Sequence, residues 1–185
     1  TGAIVALEVV AAPGSDQQAL KAAIRAACED LPAAARPRSI RFVDDIVTAG
    51  QGFETHPHRD TEIIPWGVQG SLVHQDSIGH SGIIHPGLAQ RMTAGKGIMH
   101  SEKNDSWSID GNRHTEPVRF VRMWVRPDSP GATPGYEQFE IGDGLLRGGL
   151  VTVASGMDKH RGQAAITIGQ KSAALHAARL LPEPP

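Results

Sequence analysis

The chain has 185 residues, 39% hydrophobic and 21% charged, with 18 Lys+Arg against 20 Asp+Glu and a formal net charge of -2. These values fit a globular protein of one moderate domain, or a domain with an appendage, and exclude a general basic footprint for nucleic acid. No apolar run approaches the roughly 18 residues of a membrane-spanning helix, and Cys28 has no second cysteine to pair with. Without a charged-then-apolar leader, the expected location is cytoplasmic.

In chain order, GAIVALEVV (residues 2–10) is a β-branched run ended by APGS, and reads as a strand. Ser15 followed by Gln18 is a capping-box start, and Leu20, Ile24, Ala27 and Leu31 recur at helical spacing until Pro32 stops them. Residues 1–37 are therefore expected to form a strand–helix appendage. From Ser39 the texture changes. Short β-branched or alternating segments (SIRFVDDIV, EIIPWGVQGSLVHQ, SGIIHPG, PVRFVRMWV, YEQFEIG, GLVTVAS, AAITIG, ALHAARLL) are punctuated by Gly, Pro, Asp and Asn. That rhythm predicts a mainly β, antiparallel sandwich or barrel with no long helix between residues 39 and 143.

Two short stretches concentrate chemistry: ETHPHRDTE and, further on, GKGIMHSEKND. Residues two apart on a strand share a face, so His56 and His58 form one same-face pair and His100 and Glu102 another. Neutral imidazoles on one face suit Zn, Fe, Ni, Cu or Mn. Three nitrogens and one carboxylate with open positions resemble the sites that bind non-haem Fe(II). A lone His-x-His is unspecific, and His74, His80, His85, His114, His160 and His176 carry no such pairing, so they are read as ordinary. Gly95 and Gly97 are expected to make a tight reversal that returns His100 toward His56 and His58. Asp76 is read as a turn residue bonding its own backbone, and Gln90 as a solvent contact, with donation to the metal centre as the sharper alternative. Phe53, Trp66, Met92, Met99 and Met123 are read as core, with a minority of them lining the pocket mouth.

Gly50-x5-His56-x-His58-x3-Glu62 and Gly97-x2-His100-x3-Asn104 have the spacing of the two metal motifs of the cupin superfamily. More narrowly, HPHRDTE followed by HQDSIGHSGIIHPGLAQRMTAGKGIMHSE resembles the pirin family of cupins, and the likeness runs from about residue 38 to 181. It implies a cupin-type jelly roll over residues 38–143 and the start of an incomplete second cupin over 144–185, whose unpaired strand edges must pack on the first domain, pair with another chain, or belong to a fragment. It also implies a metal, Fe(II) foremost with Zn, Ni, Mn, Cu and Co as alternatives, held by His56, His58, His100 and Glu102. Glu62, a ligand in many other cupins, is the competitor to Glu102. Residues 1–45 depart from the pirin pattern. They weakly resemble the small carboxy-terminal subdomain of adenylate-forming acyl ligases, but Gln51 stands where those enzymes place their catalytic lysine.

The resemblance implies an Fe(II)-dependent dioxygenase of the quercetin 2,3-dioxygenase type, taking a small aromatic or enolic substrate and O₂. Glu102, or else Glu62, would be the general base. The competing expectation is a non-catalytic, iron-dependent module that binds a protein partner, either a transcriptional coregulator or a partner of a metabolic enzyme. Neither reading calls for direct contact with nucleic acid or membrane.

Overall fold

The computed structural model describes residues 6–10, 40–105, 115–142 and 150–179. The helix expected at residues 15–31, and His114, lie outside them. The described strands are β1 (Ala6–Val10), β2 (Ile40–Val47), β3 (Gly52–His58), β4 (Glu62–Gln69), β5 (Leu72–Asp76), β6 (Ser81–Ile84) and β7 (Leu88–Thr93). They continue with β8 (Ile98–Lys103), β9 (Val118–Val125), β10 (Gly135–Glu140), β11 (Val151–Ser155), β12 (Ile166–Thr167) and β13 (Ala174–Arg179). One 3-10 turn spans Asp158–His160. The expected antiparallel β architecture is what the chain forms.

The strands make three sheets, ordered β3-β8-β5-β6, β10-β7-β4-β9-β2 and β1-β13-β11-β12. The five-stranded sheet is shared between two cores. Strand β9 makes this plain: Val118 and Phe120 join Leu72 and Ile84 of the β3-β8-β5-β6 sheet, while Met123 and Val125 join Val153, Ile166 and Leu175 of the β1-β13-β11-β12 sheet. The period-two alternation of a strand sends odd and even residues to opposite faces. β4 divides in the same way, with Ile63 packing toward Ile98 and Ile64 and Trp66 toward the third sheet.

Within residues 150–179, Val153, Ile166 and Leu175 pack on the central sheet. Residues 6–10 join this segment, because β1 pairs in parallel with β13, Ala6 opposite Leu175 and Val10 opposite Arg179. Trp66, Met92 and Met123 are core as expected. Met99 is not. It is 45% exposed, because it sits on β8 between Ile98 and His100 and so faces outward.

Candidate metal centre

The site is built on the β3–β8 pair, where His56 lies opposite His100 and His58 opposite Ile98. On β8, Ile98, His100 and Glu102 alternate inward and are buried, at 4%, 1% and 0% exposure. The reversal that delivers this strand uses the two expected glycines. Gly95 has φ +47°, and a Cβ there would lie 2.0 Å from the Ala132 carbonyl oxygen; Gly97 has φ +139°. Both conformations favour glycine. β3 contains a further device. Phe53 and His56 are three apart and would face opposite sides of a regular strand, but the register shifts between them. Phe53 therefore points inward to Phe120 and Arg122, and His56 still reaches His100.

The three imidazoles converge. Ring centroids are 4.8 Å apart for His56–His58, 4.5 Å for His56–His100 and 4.9 Å for His58–His100, and one ring nitrogen from each lies within 4.8 Å of the others. Their partners identify the free atoms. His56 Nδ1 donates to the Glu54 carbonyl at 2.7 Å, which leaves Nε2 bare. His58 Nε2, His100 Nε2 and Glu102 Oε1 are buried without a hydrogen-bond partner. Unpaired buried polar atoms are costly, and the bare imidazole nitrogens of His56, His58 and His100 form a donor set suited to a divalent metal.

Burial, then the neighbouring His56 and Arg122, lowers the His58 imidazole to about 4. Burial, then His74, His56, His58 and Arg122, lowers His100 to about 3. Both rings are neutral at pH 7, as ligation requires.

Glu102 occupies the inner end of a charge chain. Its Oε2 accepts from Arg122 Nη1 at 2.8 Å, and Arg122 Nη2 and Nε donate to Asp45 Oδ2 at 2.6 and 3.1 Å. The guanidinium lies over the Phe53 ring at 4.2 Å. Burial raises the Glu102 carboxyl, opposed by Arg122 and His56. A Glu102 carboxylate oxygen groups with ring nitrogens of His100 and His74 within 4.8 Å, not with those of His56 and His58.

Glu62, the competitor ligand, is elsewhere. It sits on the face of β4 turned to the third sheet, where Thr93 Oγ1 donates to its Oε2 at 2.9 Å, Arg91 lies 3.7 Å away and the Gly169 backbone donates to it. Neither metal-capable group among the described residues includes it. Its neighbour Ile63 faces the metal chamber instead.

Two other residues differ from their sequence reading, His74 and Gln90, and a third, Trp124, has none. His74 is fully buried, with its Nδ1 3.4 Å from His100 Nδ1. Gln90 is 1% exposed and accepts from Tyr136 Oη and Gln138 Nε2 at 3.2 and 3.3 Å, so it makes no solvent contact. Trp124, against His58 at 5.2 Å, has a buried indole N–H without a partner. Asp76 bonds its own turn as expected: Oδ1 accepts from the backbone N–H of Ile78 and of His80, each at 3.0 Å. Oδ2 accepts from His80 Nδ1 at 2.9 Å. Burial works to raise this carboxyl, but these bonds outweigh it and hold it below its ordinary range.

A family model described as Pirin matches residues 28–125. A putative quercetin 2,3-dioxygenase of Mycobacterium tuberculosis is 57% identical over 139 residues, which are 75% of this chain and 53% of that protein. The quercetin 2,3-dioxygenase of Escherichia coli is 44% identical over 95 residues, 51% of this chain and 38% of that one. The crystal structure of YhhW from Escherichia coli superposes with a TM-score of 0.61 at 35% identity, covering 71% of this chain and 51% of that chain. A second structure, of bacterial pirin YhhW in complex with nickel(II), gives 0.59 at 34% identity, covering 76% and 56%. The chain spans about half the length, or less, of the curated relatives it matches.

Proposed function

The chain belongs to the pirin family of cupins, and from that premise we propose that it is a mononuclear metal-dependent dioxygenase of the quercetin 2,3-dioxygenase type. It acts on a flavonol or a similar enolic substrate. The observation that carries this reading is the set of inward-facing atoms without partners: His58 Nε2, His100 Nε2 and Glu102 Oε1 beside the bare Nε2 of His56. We assign the metal to His56, His58, His100 and Glu102, with Fe(II) as the working ion. The quercetin 2,3-dioxygenase names of the relatives support the reaction class, and the nickel(II) complex of YhhW supports a divalent ion.

When bound, the ion supplies a Lewis-acidic centre that acidifies an enolic hydroxyl and one-electron chemistry toward O₂. The remaining work falls to the chain. Burial keeps the His58 and His100 rings neutral, so they hold and tune the ion and move no proton. Arg122 occupies Glu102 Oε2, so Oε1 serves both roles: one lone pair would face the ion, and the other takes the proton when the substrate O–H breaks. The Trp124 N–H beside His58 is free to donate to a second oxygen of a planar substrate.

Aerobic incubation of the Fe(II)-loaded protein with quercetin tests the proposal. Loss of the flavonol absorbance with release of carbon monoxide is expected, and His58→Ala is expected to abolish both along with metal uptake. Full metal occupancy without turnover would refute the enzymatic reading and favour the protein-binding one.

A further inference from the structure

His100 can offer Nε2 to a metal only if its proton sits on Nδ1, and the surroundings of that nitrogen are specific. His100 Nδ1 faces His74 Nδ1 at 3.4 Å, and His74 Nε2 faces Asp76 Oδ2 at 3.7 Å. The same oxygen accepts from His80 Nδ1 at 2.9 Å. All three inner residues are enclosed: His74 and His100 are 0% and 1% exposed, and the Asp76 side chain is 0% exposed. Tyr136 stacks on the rings of His74 and His80, with centroids 5.0 and 5.1 Å away.

We propose that Asp76, acting through His74, is the positioning device that fixes the tautomer of His100 and so presents its Nε2 to the metal. The proposal rests on the metal reading above and adds two residues to it.

The direction follows from charge. Asp76 Oδ1 is saturated by the backbone N–H groups of Ile78 and His80, so Oδ2 faces His74. A lone pair on His74 Nε2 would point at a carboxylate oxygen, whereas an N–H there is attracted to it. His74 therefore carries its proton on Nε2, and its neutral ring offers a bare Nδ1. His100 Nδ1–H donates to that atom, and His100 Nε2 is left as a lone pair. Carboxylates that hold ligating imidazoles directly are a general feature of metal sites. Here an intervening imidazole carries the same polarity one residue further, on β5 rather than β8.

Asp76→Asn is a stringent test because it preserves shape and reverses polarity. The N–H groups of Ile78 and His80 hold the amide oxygen where Oδ1 was, so the amide NH₂ must face His74. His74 then accepts at Nε2 and donates from Nδ1, and His100 is driven to carry its proton on Nε2, the atom the metal needs.

Long-range proton–nitrogen correlation spectra of the histidine rings, recorded on metal-free protein at neutral pH, read this directly. Wild type is expected to show His100 protonated at Nδ1, and Asp76→Asn at Nε2. Nickel(II) titration is expected to show binding weakened about 10–100-fold in the variant, the usual effect of losing an outer-shell partner of a ligand.

His74→Phe keeps the ring stack and removes the acceptor, so it is expected to release the His100 tautomer. His74→Asn, whose amide oxygen falls near the old Nδ1, should restore it. An unchanged His100 tautomer in Asp76→Asn, or in His74→Phe should the first variant not fold, would overturn the proposal. A wild type that takes up no nickel while its tautomers respond as described would instead refute the metal reading and leave the positioning role standing.

Discussion

Arg122 joins Asp45 on one side of the central sheet's edge to Glu102 in the metal chamber, at 2.6 and 2.8 Å. Arg122 and Glu102 are enclosed together, with Asp45 half-buried behind them, and removing one partner of a buried ion pair leaves the other uncompensated. Arg122→Met, similar in volume but without donors, is expected to cost about 3–5 kcal/mol, measurable by urea unfolding of the metal-free protein. The paired carboxylates separate cleanly at this scale. Glu102→Gln is expected to lower nickel affinity at least tenfold in calorimetric titration, whereas Glu62→Gln should leave it unchanged, because Glu62 bonds Thr93 and Gly169 on the far face. Equal losses in both would overturn the ligand assignment. His74 was invisible in the sequence for a simple reason: its partners are His100, 26 positions away, and Asp76, whose role in its own turn already accounts for it.

Among elements, the β3–β8 ladder and the turn between Ala94 and Ile98 set the site. Gly95→Ala must place a methyl against the Ala132 carbonyl at φ +47°. Backbone strain of that kind costs about 1–3 kcal/mol, and the clash adds to it. A lowered melting temperature together with incomplete metal occupancy is expected; full occupancy at wild-type stability would show that the turn does not position His100. Much of this ladder was legible. His-x-His and His-x-Glu are period-two patterns, and two glycines before a histidine announce a reversal. The register shift between Phe53 and His56 was not, because FETH carries no glycine or proline to mark a bulge. Nor was the face of Glu62. EIIPWGVQ is buried from Glu62 through Val68's neighbour Gly67, so no exposed polar residue betrays which side is which, and strands covered on both faces lose their alternation. The helix expected at residues 15–31 lies outside the described residues.

For the whole molecule, acid is the revealing variable. Burial lowers the imidazoles of His58, His74, His100, His160 and His176, and raises the carboxyls of Glu62 and Glu102. As pH falls from about 6.5 toward 4, the unfolded chain takes protons on five imidazoles whose protonation folding disfavours, most strongly at His58 and His100, lowered to about 4 and about 3, while the folded chain gains at most two on its carboxyls. The unfolded state binds more protons, so stability falls with pH through that window. Urea midpoints of the metal-free protein at successive pH values should decrease accordingly, and a flat profile would contradict the enclosure of these rings. A centre assembled by folding would take nickel only in the folded form. At about 100 times its dissociation constant the ion is expected to add about 2.7 kcal/mol, an increment that His58→Ala should erase.

The sharing of the central sheet between two cores limits how this architecture can vary. On β9, Phe120, Arg122 and Trp124 furnish the metal chamber, while Met123 and Val125 furnish the core against the third sheet. Inserting one residue midway along that strand would swap the two sets, thrusting a guanidinium into hydrocarbon and methyl groups among the ligands. Length changes in descendants of this gene should therefore be confined to its connecting loops, and β9 should keep its residue count even where its side chains drift.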